Sequence, residues 1–393
     1  MTRFSVSNAL RLLWIGDDHR PLSLERAPQL TTETSAIPRQ PAWDGVRDRV
    51  AGVDAARMTD SDRELPGCAS RDSLRSTVWP MVSLLLALST SCVDAPARLS
   101  ETTLYEDIAT KSVSPRARPF TPRFVLWSDG AEKSRWILLP DGEVIDTADM
   151  DHWVFPVGTQ LFKEFRRDGR RVETRVLEKR AGSWVSSTYR WEADESDAVL
   201  ANFFGETDVH GTAHDIPWNP ACNFCHGDAE PPLAFTAMQL ARGPGDAPAP
   251  EGHVTLDALV AEGRLTHAPS ALVVPGDAVA QRALGVLHAN CGSCHAETGS
   301  QNDLPLRLRL ESTGLVSLEA TGVMQTAVGH DAEDAIGGLR RYISAGEPDA
   351  SLLVLRMTST DPELRMPPTA RELTDELGVE ALRAFVTSLG ARP

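Results

Sequence analysis

The chain has 393 residues, of which 41% are hydrophobic and 24% charged, and its formal net charge is −16. This length suits two or three domains, and the composition is that of a globular protein rather than a disordered one. The strong negative charge repels phosphate backbones, which excludes nucleic acid as a general partner. No run of 18 apolar residues is present, which excludes a membrane-spanning helix.

Residues 1–57 show no clear helical or strand periodicity, yet they precede a segment that has the features of an export signal. Because such a signal normally stands at the N-terminus, the simplest hypothesis is that translation begins downstream, at Met58 or Met81. The alternative is a disordered leader that is made and then removed. We therefore expect residues 1–70 to be non-native or disordered.

The predicted export signal lies at residues 71–92. Its apolar run, 79–88, is about ten residues long, as in secretory signals, and Arg71 supplies a modest basic flank. Small residues then lead into Cys92, which resembles a bacterial lipoprotein signal, although Ser89 stands where that signal usually has Leu. We predict a periplasmic or outer-envelope protein, with membrane attachment through a lipid on Cys92. A plain secretory signal, cleaved nearby, is the alternative.

An antiparallel β domain is predicted after a linker rich in Ala, Ser, Pro and Thr. Short apolar runs alternate with Asp-Gly pairs, the strongest short hairpin signal, because both central residues of a type I′ turn need positive φ. The clearest hairpin spans residues 159–179 and turns at Asp168-Gly169. Val172, Thr174 and Val176 alternate with charged residues, which predicts a sheet with one solvated face.

Two short motifs share one pattern: Cys222-Asn-Phe-Cys225-His226 and Cys291-Gly-Ser-Cys294-His295. CxxCH is the attachment signature of haem c. Two thiols at this spacing add to the two vinyl groups of one porphyrin, and the next residue falls beneath the iron, where imidazole is a natural ligand. We predict two covalent haem c groups held by Cys222, Cys225, Cys291 and Cys294, with His226 and His295 as iron ligands.

Two other uses of the CxxC pairs compete with haem attachment. Four thiolates could bind one structural zinc ion, and a CxxC pair could form a disulfide or act in redox exchange. Neither use gives a role to a histidine directly after both pairs. The repeated histidine therefore favours haem.

Helices are predicted on both sides of the second motif. Residues 281–290 form a helix that leads directly into Cys291. A closing helix is predicted to be capped by Asp375 and to end at Leu389, before Gly390. It carries apolar residues at helical spacing, namely Val379, Leu382, Phe385, Val386 and Leu389.

A helix, a CxxCH motif, a distal Met followed by Pro and a closing amphipathic helix resemble a cytochrome c domain over residues 281–393. From about residue 120 onward the chain resembles bacterial di-haem envelope lipoproteins. That resemblance is carried by residues 126–133, 151–156, 210–217 and 287–295. It implies Met366 as the sixth ligand of the second haem, with Met357 as the rival.

The sixth ligand of the first haem is less defined. His214 is favoured because it lies in a run that resembles the family, just before the first motif. His210 and Met238 are alternatives, and an open or water-ligated position is a further one.

The predicted fold class is multidomain β + α, with an antiparallel meander or sandwich followed by a mostly α-helical cytochrome c-type haem region. The predicted segments are a leader at 1–70, a signal at 71–92, a linker at 93–120, a β domain at 121–205, a first haem-binding segment at 206–283 and a cytochrome c-like domain at 284–393. The predicted function is electron transfer with an unidentified redox partner protein, which docks through a basic face. The alternative is a haem-dependent oxidoreductase, either peroxidase-like or with a substrate bound by the sheet.

Overall fold

The computed structural model describes residues 95–226, 232–369 and 371–390, without the side chains of Pro220, Asn223 and Phe224. Every described residue lies within the unit Cys68–Pro393. The predicted leader, the signal segment and Cys92 lie outside the described residues. Across the described ranges, no helix is long and apolar enough to cross a membrane.

The largest sheet is a six-stranded antiparallel meander in which neighbours in sequence are neighbours in space. Its strands are β3 (Arg118–Pro119), β4 (Glu132–Leu138), β5 (Gln160–Arg167), β6 (Arg170–Arg180), β7 (Ser183–Trp191) and β8 (Ala198–Leu200), preceded by a small hairpin of β1 (Tyr105–Asp107) and β2 (Ser112–Val113). A further hairpin, β9 (Asp331–Ile336) with β10 (Leu339–Arg341), lies in the C-terminal part. The predicted antiparallel meander is confirmed.

The turn between β5 and β6 has the predicted chemistry. Asp168 and Gly169 both have positive φ, 51° and 77°, as a type I′ turn requires. A register shift follows between Phe165 and Arg166. It leaves Val172 as an extra residue that packs with Phe165 instead of sharing a face with Val176.

Both faces of the sheet are covered. On one face, Phe162, Tyr189 and Trp191 pack against the segment that contains Leu99 and Leu104. The opposite face carries charged residues, yet Glu173 on this face is fully buried. The expected solvated face is therefore wrong. Glu173 and Arg175 on this face contact the segment that carries His214 and Cys222, because that segment packs onto the sheet.

The helices are short except near the C-terminus. They are α1 (Asn223–His226), α2 (Ala237–Leu240), α3 (Leu256–Ala261), α4 (Ala278–Asn290), α5 (Gly322–Thr326), α6 (Leu352–Thr358) and α7 (Glu376–Leu389). Helices α4 and α7 pack against each other. Asp277 caps α4 through the amide of Ala280, and Asp375 caps α7 through the amide of Gly378. The predicted cap, extent and buried stripe of α7 are confirmed.

One hydrophobic core joins the sheet to the helices. Its buried members include Ile137 and Leu161 from the sheet, Leu284 from α4 and Phe385 from α7. A mixed β + α fold is confirmed. The boundaries predicted after residues 205 and 283 run through this shared core, so the β region and the helical region pack as one body.

Candidate functional site

The first motif lies where a short 3₁₀ turn passes into α1. Cys222 is the last residue of the turn Asn219–Cys222, and α1 carries Cys225 and His226. All three residues line one internal cavity. Burial raises the pKa of the Cys222 thiol.

The second motif continues from the C-terminal end of α4. The amide of Cys291 donates to the Leu287 carbonyl at 2.9 Å, and the amide of His295 donates to the Cys291 carbonyl at 2.9 Å. Burial raises the pKa of Cys291 to about 12. The helix end therefore holds Cys291 inside the core and turns the chain so that Cys294 and His295 follow at close range.

The two motifs meet through their second cysteines. The thiols of Cys225 and Cys294 are in hydrogen-bond contact, which raises the pKa of Cys225 and lowers the pKa of Cys294. Ser293 also contacts Cys225. This meeting was not predicted from the sequence, because it depends on packing between segments far apart in the chain.

The four thiols are not gathered around one point. Within residues 95–226, 232–369 and 371–390, which include all four, no three His, Cys, Asp or Glu side chains form a group suited to a metal ion. None of Cys222, Cys225, Cys291 and Cys294 takes part in a disulfide. This geometry gives no support to a single four-thiolate zinc site.

A cavity of about 200 Å³ separates the first motif from the sheet. Its apolar walls include Phe120, Phe124, Leu161, Trp184, Leu233 and Ala289.

Buried charge lies on the sheet side of this cavity. Glu173 accepts two hydrogen bonds from the Arg175 guanidinium, one of them at 2.9 Å. Burial raises the pKa of Glu173, but the Arg175 charge and the His214 hydrogen bond outweigh it and hold that pKa at about 2. The charge of Arg175 in turn interacts with Cys222 and Cys225.

His214 is already engaged in this network. It is 4% exposed, and its Nε2 lies 2.8 Å from a carboxylate oxygen of Glu173. Its ring packs against Phe165. Ligation of iron through Nε2 would require this bond to be given up. His214 as sixth ligand stays a prediction that this geometry does not favour.

The two alternatives to His214, His210 and Met238, also make other contacts. Nε2 of His210 lies 2.7 Å from the carbonyl of Trp191. Met238 is a buried core residue of α2. Neither residue lines the cavity beside the first motif, whose lining includes Cys222, Cys225 and His226.

One ring nitrogen of His295 lacks a partner. Among the residues that the structure describes, nothing hydrogen-bonds to its buried Nδ1. Burial and the charges of Arg356 and Arg307 lower its pKa to about 4, so the ring is neutral at physiological pH. Neutral imidazole is the form that binds metals. A buried polar atom without a partner costs about 1–3 kcal/mol, and this one therefore calls for an explanation.

Hydrogen bonds from Arg371 stabilise the segment that contains Met366. The Arg371 guanidinium is 4% exposed and donates to the carbonyls of Met366 and Met357 at 2.6 Å each, and to Ser359 at 2.9 Å. Its charge also interacts with Cys291. The Met366 segment is thus tethered beside the second motif.

The rival, Met357, is part of α6. It is a buried member of the main hydrophobic core, which the apolar pattern of its segment had indicated.

A turn from the sheet region contacts both ends of the segment that follows α4 and precedes α7, which contains the second motif. The Trp127 amide donates to Asn290, the last residue of α4, at 2.7 Å. Asp129 accepts the amides of Glu372 and Leu373 at 2.9 and 2.8 Å, just before α7. This explains part of the run 126–133, to which the sequence alone assigned no structural role.

Comparison with known proteins adds no identification: no protein-family model, no curated protein and no solved structure matches the chain.

Proposed function

We propose that the chain is a di-haem c-type cytochrome that transfers electrons in the bacterial cell envelope. One observation carries the proposal: two CxxCH motifs meet at their second cysteines, and the first of them lines a cavity with apolar walls and cationic side chains on its sheet side. The envelope location depends on the export signal in the sequence, which lies outside the described residues. An electron carrier is favoured over an enzyme.

The residues present fit haem c in three respects. Each cysteine pair keeps the spacing that two thioether bonds to one porphyrin require. The cavity beside Cys222 and Cys225 has apolar walls and a charged side, as an amphiphilic group needs. The neutral imidazole of His295 has a buried nitrogen without a partner. Helix α4, the second motif and α7 also follow the order of a cytochrome c domain.

The roles of the residues follow from this fit. Cys222, Cys225, Cys291 and Cys294 would attach the two groups, and His226 and His295 would serve as proximal ligands. Met366 is the proposed sixth ligand of the second group, held in place by Arg371. Bound haem supplies a reversible one-electron iron couple. Because Cys225 and Cys294 are in contact, the two attachment points are adjacent, which suits electron transfer within the chain.

The first test counts covalent haems. The full chain, expressed in a bacterial host with a cytochrome c maturation system, should carry two haems by pyridine haemochrome assay and protein quantification. The double variants C222S/C225S and C291S/C294S should carry one each. A colourless wild-type protein from such a host would overturn the proposal. Zinc found in that protein would support the alternative, a zinc ion bound by the cysteine thiolates.

The second test addresses ligation and catalysis. Thioether ligation raises a haem potential, so Met366→Ala should lower one midpoint potential and leave the other unchanged, whereas Met357→Ala should not. Two six-coordinate haems should bind carbon monoxide poorly. Rapid binding to one haem of the wild type would instead favour the oxidoreductase alternative, which needs an open iron site.

A further inference from the structure

A row of three cations crosses the sheet beneath the first motif. Arg135 on β4 pairs in register with Lys163 on β5, and Lys163 pairs with Arg175 on β6. All three residues line the cavity that also contains Cys222 and Cys225. Neighbouring strands are about 4.8 Å apart, so the row extends roughly 10 Å from β4 to β6.

Only one end of this row is neutralised. Arg175 is paired with the buried Glu173. In the part of the chain that the structure describes, Arg135 and Lys163 have no carboxylate within ion-pair distance. Arg135 is only 7% exposed, and its buried Nε has no hydrogen-bond partner among the described residues. Lys163 is half-buried, with its ammonium 4.7 Å from the centre of the Phe165 ring.

Unpaired buried cations are costly, since they lose hydration without a compensating charge. Burial lowers the pKa of Arg135 to about 10. Burial, together with the charges of Arg135, Arg175 and Lys133, lowers the pKa of Lys163 well below its ordinary value. The floor of the cavity therefore carries three cationic side chains and one neighbouring carboxylate, that of Glu173.

The row lies close to the attachment thiols. The charges of both Arg175 and Lys163 interact with Cys222 and Cys225. Arg135 lies two strands away from Arg175. A group attached at the thiols thus lies over the row and meets two cations without an ion pair, Lys163 and Arg135.

We propose that Arg135 and Lys163 are the anion-binding residues of this cavity and pair with the two propionate carboxylates of the haem attached at Cys222 and Cys225. This inference depends on the proposed function. Haem carries two propionates, and two unpaired cations stand on the cavity floor. The sheet is then part of the first haem site.

The test compares the redox potentials of haem-loaded variants. Arg135→Gln and Lys163→Gln each remove one positive charge from the cavity. Arg116→Gln is the matched control, because it removes the same charge from a side chain that is 57% exposed beside Asp141. Haem content is measured first, by pyridine haemochrome assay, and midpoint potentials are then measured by spectroelectrochemical titration.

A nearby positive charge favours the ferrous form, since that form carries one positive charge less. At a fixed potential we therefore expect each cavity variant to lower the ferrous-to-ferric ratio of one haem about tenfold, which is 59 mV for a one-electron couple. The other haem and the control should not change. Lys163→Arg keeps the charge and should retain the wild-type potential.

The outcomes separate the two proposals. A wild-type chain without haem overturns the proposed function and this inference with it. Two haems with unchanged potentials in both glutamine variants overturn the inference alone. If the glutamine variants lose one haem, full loading of Lys163→Arg supports the inference, because attachment then depends on the charge. Loss of haem in Lys163→Arg as well overturns it.

Discussion

The two CxxCH motifs have the same residue pattern but very different surroundings. The first is faced by charged side chains of the sheet, among them Glu173, Lys163 and Arg175. The second lies at the end of α4 and has no buried carboxylate bonded to His295. Haem potentials respond to axial ligands, hydrogen bonding and burial. The comparison therefore shows that one residue pattern can have two chemically different surroundings within a single core.

The largest expected effect breaks the helical surroundings of the second motif. Phe385 is fully buried in α7, in the core it shares with α4. Phe385→Ala should cost about 3–5 kcal/mol of unfolding free energy, measured by guanidinium unfolding followed by circular dichroism. Leu377→Ala on the same helix is the control, because Leu377 is 65% exposed. Equal losses in the two variants would contradict the packing described.

The second prediction breaks the charged surroundings of the first motif. Glu173→Gln leaves Arg175 buried without its ion pair, which should cost about 3 kcal/mol. Glu178→Gln is the control on the same strand, since its partner Arg180 and Glu178 itself are each about one-third exposed. That control should cost no more than about 1 kcal/mol.

Glu173 also predicts a dependence on pH. Its pKa in the folded state, about 2, lies below the ordinary value of 4.5, so its contribution is present above pH 4.5 and is lost as the pH falls toward 2. Unfolding curves of the wild type should show this loss, and those of Glu173→Gln should lack it. An unchanged acid profile in the variant would argue against the Glu173 network.

The third prediction concerns the loss of stability at low pH that His288 causes near the second motif. His288 accepts the Leu310 amide at 3.1 Å, and burial with the charges of Arg309 and Arg123 lowers its pKa to about 3. The unfolded chain therefore binds more protons below pH 6.5, and stability should fall by at most about 1.4 kcal/mol per pH unit from this group. His288→Gln, whose side-chain oxygen can accept the same amide, should have a shallower slope between pH 6 and 5.

The smallest expected effect concerns the turn that links the two regions. Asp129→Asn replaces a charged acceptor of two amides by a neutral one and should cost about 1 kcal/mol. Asn tolerates the left-handed conformation of this position, where φ is 48°. Asp168→Asn, in the exposed turn after β5, is the control and should be neutral. A larger loss at Asp168 than at Asp129 would contradict the role assigned to Asp129.

The sequence pattern did not predict some of the side chains near the cavity, and the reason is physical. The alternation of Val172, Thr174 and Val176 with charged residues on β6 indicated a solvated face, because alternation reports which residues share a face and not what covers it. Arg175 instead lines the cavity, as does Lys163 on β5, and Glu173 is buried beside Arg175. The missed signal was the excess of cations over carboxylates at these alternating positions. Arg371 gave no local signal, since its partners are backbone carbonyls.

The sequence by itself determined the features that depend on neighbouring residues. Asp168-Gly169 specified the hairpin because few residue pairs accept two positive φ values, and Asp375 with its apolar stripe specified α7. The CxxCH spacing identified the chemistry proposed for both motifs. Only the tertiary structure decided that Cys225 meets Cys294 and that the charged face of the sheet is buried. Such contacts follow from how distant apolar surfaces pack into one core, and no local pattern records that packing.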